Sequence, residues 1–339
     1  MAASNIEVWQ LGTVVEVRTI AKEIQRIVLE PSLPKKAEPG SHIDVMVHID
    51  GHKDRRSYSV VEATEDGTRL VISVLKAPLS RGGSVFIHNL QPGDELEITQ
   101  PLQNFPLRVG AGRYILLAGG IGITAMISMG RVLKNLRASY TFVYAGRSRA
   151  AMAYLEELQT LHGDNLVVHV DDEGSSLDVN ALVANATEDT EDTELYMCGP
   201  IRLMDAVRRA WTESELSFPN LRYETFGNSG WFDPEKFVVR VPSLNMEVEV
   251  GQGRSMLEAL EDAGADMMFD CRKGECGLCE VKILKLEGAI DHRDVFYSTR
   301  QKNAAKKMAC CVSRAVTSET GLMAEASVSG PAVVTIEVS

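Results

Sequence analysis

The stretch DCRKGECGLCEVKI, from Asp270 to Ile283, sets Cys271, Cys276 and Cys279 in the spacing C-x4-C-x2-C, three of the chain's six cysteines within nine residues. Thiols this close serve as metal ligands, redox thiols or disulfide partners, and the spacing separates these chemistries. Zinc sites pair C-x2-C knuckles or add histidines, and this loop has one pair, an offset cysteine and no neighbouring histidine. A thioredoxin-type dithiol needs one C-x2-C at a helix start, which leaves Cys271 without a role. A 2Fe-2S cluster of the plant type uses C-x4-C-x2-C and a distant fourth cysteine, because a loop wraps one side of the cluster and a later segment closes the other. The segment KKMACCVSRA offers Cys310 and Cys311 for that fourth position. Gly274 and Gly277 let the loop backbone come close enough to donate N–H groups to the sulfurs.

Three further segments carry chemistry. RRSYSV holds Arg56, Tyr58 and Ser59 as R-x-Y-S, which alone describes no more than a strand with an exposed tyrosine. Downstream, Arg81, Gly82, Gly83 and Ser84 supply a cation, a permissive backbone and a hydroxyl, the ingredients of a phosphate-binding turn. In LLAGGIGITAMI, Gly119, Gly120 and Gly122 lie between an apolar strand and a helix, where a pyrophosphate meets a helix N-terminus. The pattern departs from the Rossmann fingerprint, since the next strand, YTFVYAGRS, ends without an acidic residue for the ribose. Arg147, Ser148 and Arg149 there are suited to a 2'-phosphate, whereas Asp171 and Asp172 would repel one. YMCGP places Cys198, Gly199 and Pro200 at another strand end, and Cys198 by itself is a buried strand cysteine.

These segments sit in three textures of sequence. The first part alternates short β-type runs with turn signals, as an all-β barrel or sandwich does. From Arg113 onward, apolar strands alternate with helical patterns such as GITAMISMGRVLKNLR and AAMAYLEELQTL, which predicts a parallel α/β sheet with ligands at the carboxyl ends of its strands. After the Gly/Asn/Ser/Pro-rich YETFGNSGWFDPEK come a hairpin, a short helix, the cysteine loop and a closing strand. The expected domains are 1–110, 111–228 and 229–339.

Composition agrees with a soluble globular chain of several domains, at 339 residues, 45% hydrophobic and 24% charged. A net charge of −12 excludes a nucleic-acid binder that works by neutralising phosphates. The start has no basic segment followed by an apolar run, so no secretory signal is expected. The longest uncharged run, Tyr114 to Gly130, contains four glycines and suits a buried strand, turn and helix better than a membrane span. A cytoplasmic protein without a membrane partner is expected, and clustered cysteines fit that reducing compartment.

The cysteine loop, R-x-Y-S, R-G-G-S, the pattern G-G-x-G-x-T ending at Thr124 and C-G-P, in this order of domains, resemble the phthalate dioxygenase reductase family over the whole chain. That family includes the reductases of vanillate demethylases and related Rieske oxygenases. The resemblance implies an antiparallel β-barrel flavin domain, an α/β nicotinamide domain and a β-grasp plant-type ferredoxin domain. It places Arg56, Tyr58 and Ser59 along the isoalloxazine, with Ser59 near N5. Arg81, Gly82, Gly83 and Ser84 would hold the phosphate of FMN, favoured over FAD because the compact LSRGGS looks like this branch. Gly119, Gly120, Gly122 and Thr124 would carry the nicotinamide cofactor's pyrophosphate, and Cys198, shaped by Gly199 and Pro200, would sit beside the nicotinamide. Phe226 would approach the flavin ring. Relatives with similar R-S stretches use NADH, so Arg147 and Asp171 are expected to border the ribose of NADH rather than NADPH. The family's order of Met, ligand Cys and S-R matches Met308, Cys311, Ser313 and Arg314. Cys311 is then the fourth ligand, and Cys310 a buried apolar residue.

The implied function is a monomeric reductase component that passes electrons from NADH to FMN, to the cluster, and on to a Rieske oxygenase. A hydride carries two electrons and a 2Fe-2S cluster accepts one at a time, so something between them must split the pair, and a flavin can do so because its one-electron reduced form is accessible. The alternative acceptor is a cytochrome P450 or another one-electron acceptor. A non-catalytic module would show degraded cofactor motifs, and these are intact.

Overall fold

The alternating runs ahead of Arg113 form antiparallel strands because their apolar residues repeat with a period of two and turn residues separate them. In the computed structural model, which describes residues 7–49, 51–77, 82–186, 192–227, 230–317 and 330–338, six of these strands close on themselves. The order is His52–Ala63, Leu70–Leu75, Ile24–Pro31, Trp9–Ala21, Glu95–Thr99 and Ser41–Ile49, and Ser41–Ile49 pairs back onto His52–Ala63. The result is a barrel, and closure leaves no open sheet edge. Its interior is filled by inward-facing residues such as Val14, Ile27, Leu29, Ile43, Val45, Leu70, Ile72 and Ile98.

The second pattern forms a five-stranded parallel sheet in the order Leu166–Val170, Tyr140–Gly146, Arg113–Gly119, Thr193–Cys198, Leu221–Glu224. Arg113–Gly119 is buried at every residue after the first, as a central strand covered on both faces must be. Chain order reverses between Arg113–Gly119 and Thr193–Cys198, which makes the space beyond their carboxyl ends the switch point where open α/β sheets bind ligands. Helix Ile123–Asn135 follows the expected GITAM pattern. The second expected helix is broken: a short turn, Arg149–Ala151, precedes Leu155–His162, and Tyr154 between them has φ +64°. Three helices absent from the sequence reading also form among the described residues, Gly83–His88, the Asp178-capped Val179–Asn185 and the Ser298-capped Thr299–Ala304.

The last segment builds a mixed sheet in the order Met246–Val250, Phe237–Val241, Ala332–Glu337, Glu280–Glu287, Lys307–Ala309. Helix Met256–Asp262 packs against it and begins with a reciprocal Ser255–Glu258 capping box. The chain divides into two compact units, Met1–Gly199 with Ala206–Glu224, and Pro200–Asp205 with Thr225–Ser339. The barrel and the parallel sheet therefore share one unit, and the cysteine loop lies in the other. Among the described residues no helix is long and apolar enough to cross a membrane.

Candidate functional site

Antiparallel pairing assembles the cysteines. Glu280 pairs with Ala309, so Cys279, one residue before its strand, meets the double cysteine just past the end of Lys307–Ala309. The Cys310 N–H donates to the Cys279 carbonyl at 3.1 Å. Across the loop, the N–H groups of Lys273, Glu275 and Cys276 all point at the Cys271 sulfur at 3.4 Å, the arrangement that stabilises a thiolate ligand. Two glycines make this winding possible, Gly274 and Gly277, both at φ +77°. A Cβ on Gly277 would fall 2.4 Å from the Phe296 ring, and one on Gly274 would fall 2.6 Å from Val312.

Hydrogen bonds from the Cys310 and Cys311 thiols push Cys279 down to about 3, and that same hydrogen bonding, with burial, pushes Cys310 and Cys311 up. The two adjacent cysteines differ in what they face. Charge on Cys271 and on Cys279 acts on Cys311, whereas Cys310 feels Cys279 and Glu261. Cys271, Cys276, Cys279 and one of the adjacent pair Cys310 and Cys311, with the N–H groups around Cys271, make a donor set whose chemistry fits a cluster of iron and sulfide.

Arg314 of the same segment has a structural task. Its buried guanidinium donates to the carbonyls of Arg254, Glu235 and Gly251 at 2.6, 2.9 and 2.8 Å and lies over the Phe237 ring. Arg272 is committed too, stacked 3.9 Å over Phe269 and bonded to both oxygens of Glu261. Glu275, which the sequence reading passed over, fastens the loop by accepting from the Thr225 N–H at 2.6 Å and its hydroxyl at 2.8 Å.

In the first unit, the R-x-Y-S strand and the glycine turn meet. A Cβ on Gly83 would lie 2.9 Å from Cγ of Arg56, so only a glycine lets the turn come this close to that arginine. Arg56 is held by Asp54 at 2.6 Å, and the Ser84 hydroxyl accepts from the Ala77 N–H at 3.1 Å. Gly82 has φ +90°. Arg81 lies outside the described residues. Tyr58 is half-buried, and desolvation raises its hydroxyl above the ordinary value. Ser59 is buried and donates to Oε2 of Glu224 at 3.3 Å, across 165 residues of chain. No local pattern in the sequence marked Glu224. Phe226, half-buried, follows Thr225, where the longer segment of the second unit starts.

At the switch point the two nicotinamide markers come together. Cys198 pairs with Ala118, one residue before the glycine turn. A Cβ on Gly122 would lie 2.2 Å from the Cys198 carbonyl oxygen, and one on Gly199 would lie 3.0 Å from Cα of Gly119. Gly120 has φ +54° and open space where a side chain would be. Thr124 is buried and donates to the Ile121 carbonyl at 3.0 Å, which fixes the first turn of the helix. Pro200 directly precedes helix Ile201–Glu213. Arg147 and Asp171 lie near the carboxyl ends of the neighbouring strands, both exposed, where the Asp172 N–H donates to the Arg147 carbonyl. Arg149, offered by the sequence as a phosphate grip, is occupied by both oxygens of Glu173 at 2.7 and 2.8 Å.

Comparison with known proteins identifies two domains in the chain. Residues 239–316 match a 2Fe-2S iron-sulfur cluster binding domain, and residues 116–209 an oxidoreductase NAD-binding domain. The carnitine monooxygenase reductase subunit of Acinetobacter pittii (strain PHEA-2) is 35% identical over 277 residues, which is 81% of this chain and 88% of that protein. The solved structure of phthalate dioxygenase reductase, a modular structure for electron transfer from pyridine nucleotides to 2Fe-2S, aligns with 97% of this chain and 98% of its own, with 28% identity and a TM-score of 0.69. An intact type IV self-sufficient cytochrome P450 monooxygenase aligns with 97% of this chain at 34% identity and a TM-score of 0.63. The chain spans 41% of that P450's length.

Proposed function

The chain belongs to the phthalate dioxygenase reductase family, electron-transfer oxidoreductases with an NAD-binding and a 2Fe-2S domain, and from that premise we propose that it moves electrons from NADH through FMN and its own cluster to a separate Rieske oxygenase. The observation that carries the reading is the meeting of the Gly119–Gly122 turn with Cys198 at the switch point, in the same unit as the R-x-Y-S strand. Bound FMN supplies the conversion of a two-electron hydride into single electrons.

The chain's own residues bind and orient. The open side of Gly120 admits a pyrophosphate against the N-terminal end of its helix. Cys198, fully buried behind that turn, is a small apolar wall for the nicotinamide. Arg56 with Gly82, Gly83 and Ser84 would hold the flavin phosphate, and the Ser59 hydroxyl, kept in place by Glu224, would face the reactive edge of the ring. Cys271, Cys276, Cys279 and Cys311 would hold the iron, with three N–H groups tuning the charge at Cys271. No side chain acts as a covalent catalyst; distance and orientation supply the rate. The proposal divides the chain into a flavin domain up to residue 110, a nicotinamide domain over 111–228 and a ferredoxin domain after it, acting as a cytoplasmic monomer.

A cytochrome P450 is the second candidate acceptor, favoured by the likeness to 41% of the chain of a self-sufficient cytochrome P450 monooxygenase. Anaerobic mixing of the NADH-reduced protein with a purified Rieske oxygenase, and separately with a P450, discriminates them. The proposal expects the Rieske spectrum to bleach. Reduction of P450 haem alone, with every Rieske centre left oxidised, would reverse the order.

A further inference from the structure

Within the first unit the barrel and the parallel sheet are joined by contacts that cofactor binding does not require. Glu62 lies on strand His52–Ala63, about 10 Å along from Ser59 at strand rise. Its Oε1 accepts from Arg131 at 3.0 Å, and its Oε2 from Arg26 at 3.3 Å. Arg131 lies on helix Ile123–Asn135, about 14 Å along the helix from the Gly122 turn. The same guanidinium also reaches Glu157 on helix Leu155–His162. Side-chain exposures of 15% for Arg26, 25% for Glu62 and 37% for Arg131 set this network apart from a fully solvated surface pair.

A second tie lies close by. The Tyr154 and Ser73 hydroxyls are 2.6 Å apart, one on the sheet's connecting segment and the other on barrel strand Leu70–Leu75. Tyr154 has φ +64°, a left-handed conformation that is strained for a bulky residue and persists only where surrounding contacts hold it. The Lys22 N–H adds a backbone bond to the Ala150 carbonyl at 2.7 Å.

One strand therefore carries both Ser59 and Glu62, and one helix runs from the glycine turn to Arg131. The strand and the helix are stiff struts, and the Glu62–Arg131 bond fixes the distance between their far ends. We propose that Glu62 and Arg131, braced by Tyr154 and Ser73, are positioning residues that register the flavin segment against the nicotinamide turn, so that hydride transfer depends on side chains that touch neither cofactor. The proposal rests on the functional reading above.

Anaerobic stopped-flow reduction of the flavin by saturating NADH tests it on Glu62→Gln, Arg131→Ala and Arg131→Lys holoproteins. The expected result for the first two is a flavin reduction rate per bound FMN lowered roughly 10- to 100-fold, the scale of a 1 Å misplacement. NADH affinity and FMN content should hold, and Arg131→Lys should recover much of the rate, because its ammonium can still meet Glu62. Tyr154→Phe, which deletes one hydroxyl, serves as the milder probe should the charge variants fold poorly, and a smaller slowing is expected of it. Unchanged rates per flavin, or loss confined to melting temperature and flavin content, overturn the positioning role. Failure of NADH to reduce the wild-type flavin would instead sink the functional reading itself.

Discussion

Gly122→Ala is the substitution whose effect follows most directly from distance. A methyl group there would lie 2.2 Å from the Cys198 carbonyl oxygen, 2.5 Å from its carbonyl carbon and 2.9 Å from the Gly199 nitrogen. All three are backbone atoms flanked by buried strands, so no flexible side chain can swing aside. Relief requires the glycine turn and the C-G-P turn to separate by about 1 Å, and overpacking of this kind typically costs about 1–3 kcal/mol. For a unit of this size that lowers the melting temperature by roughly 3–10 °C. The same displacement would move the proposed pyrophosphate seat away from the proposed nicotinamide wall and should lower hydride transfer up to about 100-fold, or about 2.7 kcal/mol on the barrier. Gly120→Ala is the contrasting case. Its Cβ meets nothing within 4 Å, and its φ of +54° adds only backbone strain, about 1 kcal/mol. Its methyl enters the space assigned to the pyrophosphate, so KM for NADH should rise while the melting temperature moves little. Calorimetry and stopped-flow flavin reduction on both variants make the comparison. A Gly122→Ala protein with wild-type melting and wild-type reduction rate would refute the reasoning.

Cys311→Ser should abolish the cluster's visible absorption and Cys310→Ser should retain it, and the opposite pattern would reassign the fourth ligand. Ser59→Ala removes the hydroxyl bonded to Glu224 and should slow flavin reduction by about tenfold at unchanged NADH affinity, a loss of roughly 1.4 kcal/mol that single-turnover kinetics would detect. His162 is pushed down to about 4 by burial, with help from Lys134 and Arg131, while its ring bonds the Tyr140 hydroxyl at 2.8 Å. The unfolded chain takes up a proton that the folded chain refuses, so its contribution is complete above about pH 6.5 and shrinks as pH falls toward about 4. At about 1.4 kcal/mol per pH unit, roughly 2 kcal/mol disappears between about pH 6.5 and pH 5, and His162→Gln should flatten that slope in thermal melts.

What the sequence disclosed was local. The cysteine spacing, the glycine turns and the alternation of strands with helices are each contained in short windows, and the barrel, parallel sheet and ferredoxin unit stand in the expected order. The helix Gly83–His88 leaves no signal in the sequence because six residues are too few to show a helical period. The break at Arg149–Ala151 leaves none because AAMAYLEELQTL has good helix formers throughout, and the Tyr154 contact with Ser73 overrides that propensity. Ser59 with Glu224, and Glu62 with Arg131, are joined across 165 and 69 residues, and pairing at such range leaves no signal in a single sequence. The S-R pair after Cys311 served as a marker of the ligand, yet Arg314 turns out to be a buried anchor for three carbonyls. Glu173 likewise altered the meaning of Arg149, which looked available for a phosphate until its carboxylate partner was in place.

The central claim is that one chain carries electrons from a nicotinamide through a flavin to an iron-sulfur cluster. Anaerobic titration of the purified protein with NADH, following flavin absorbance and the paramagnetic signal of the reduced cluster together, tests it most directly. The account predicts a coloured protein whose flavin bleaches and whose cluster signal appears on NADH alone, with FMN released by acid. A colourless protein containing zinc, or a cluster that stays oxidised while NADH is present, would contradict it.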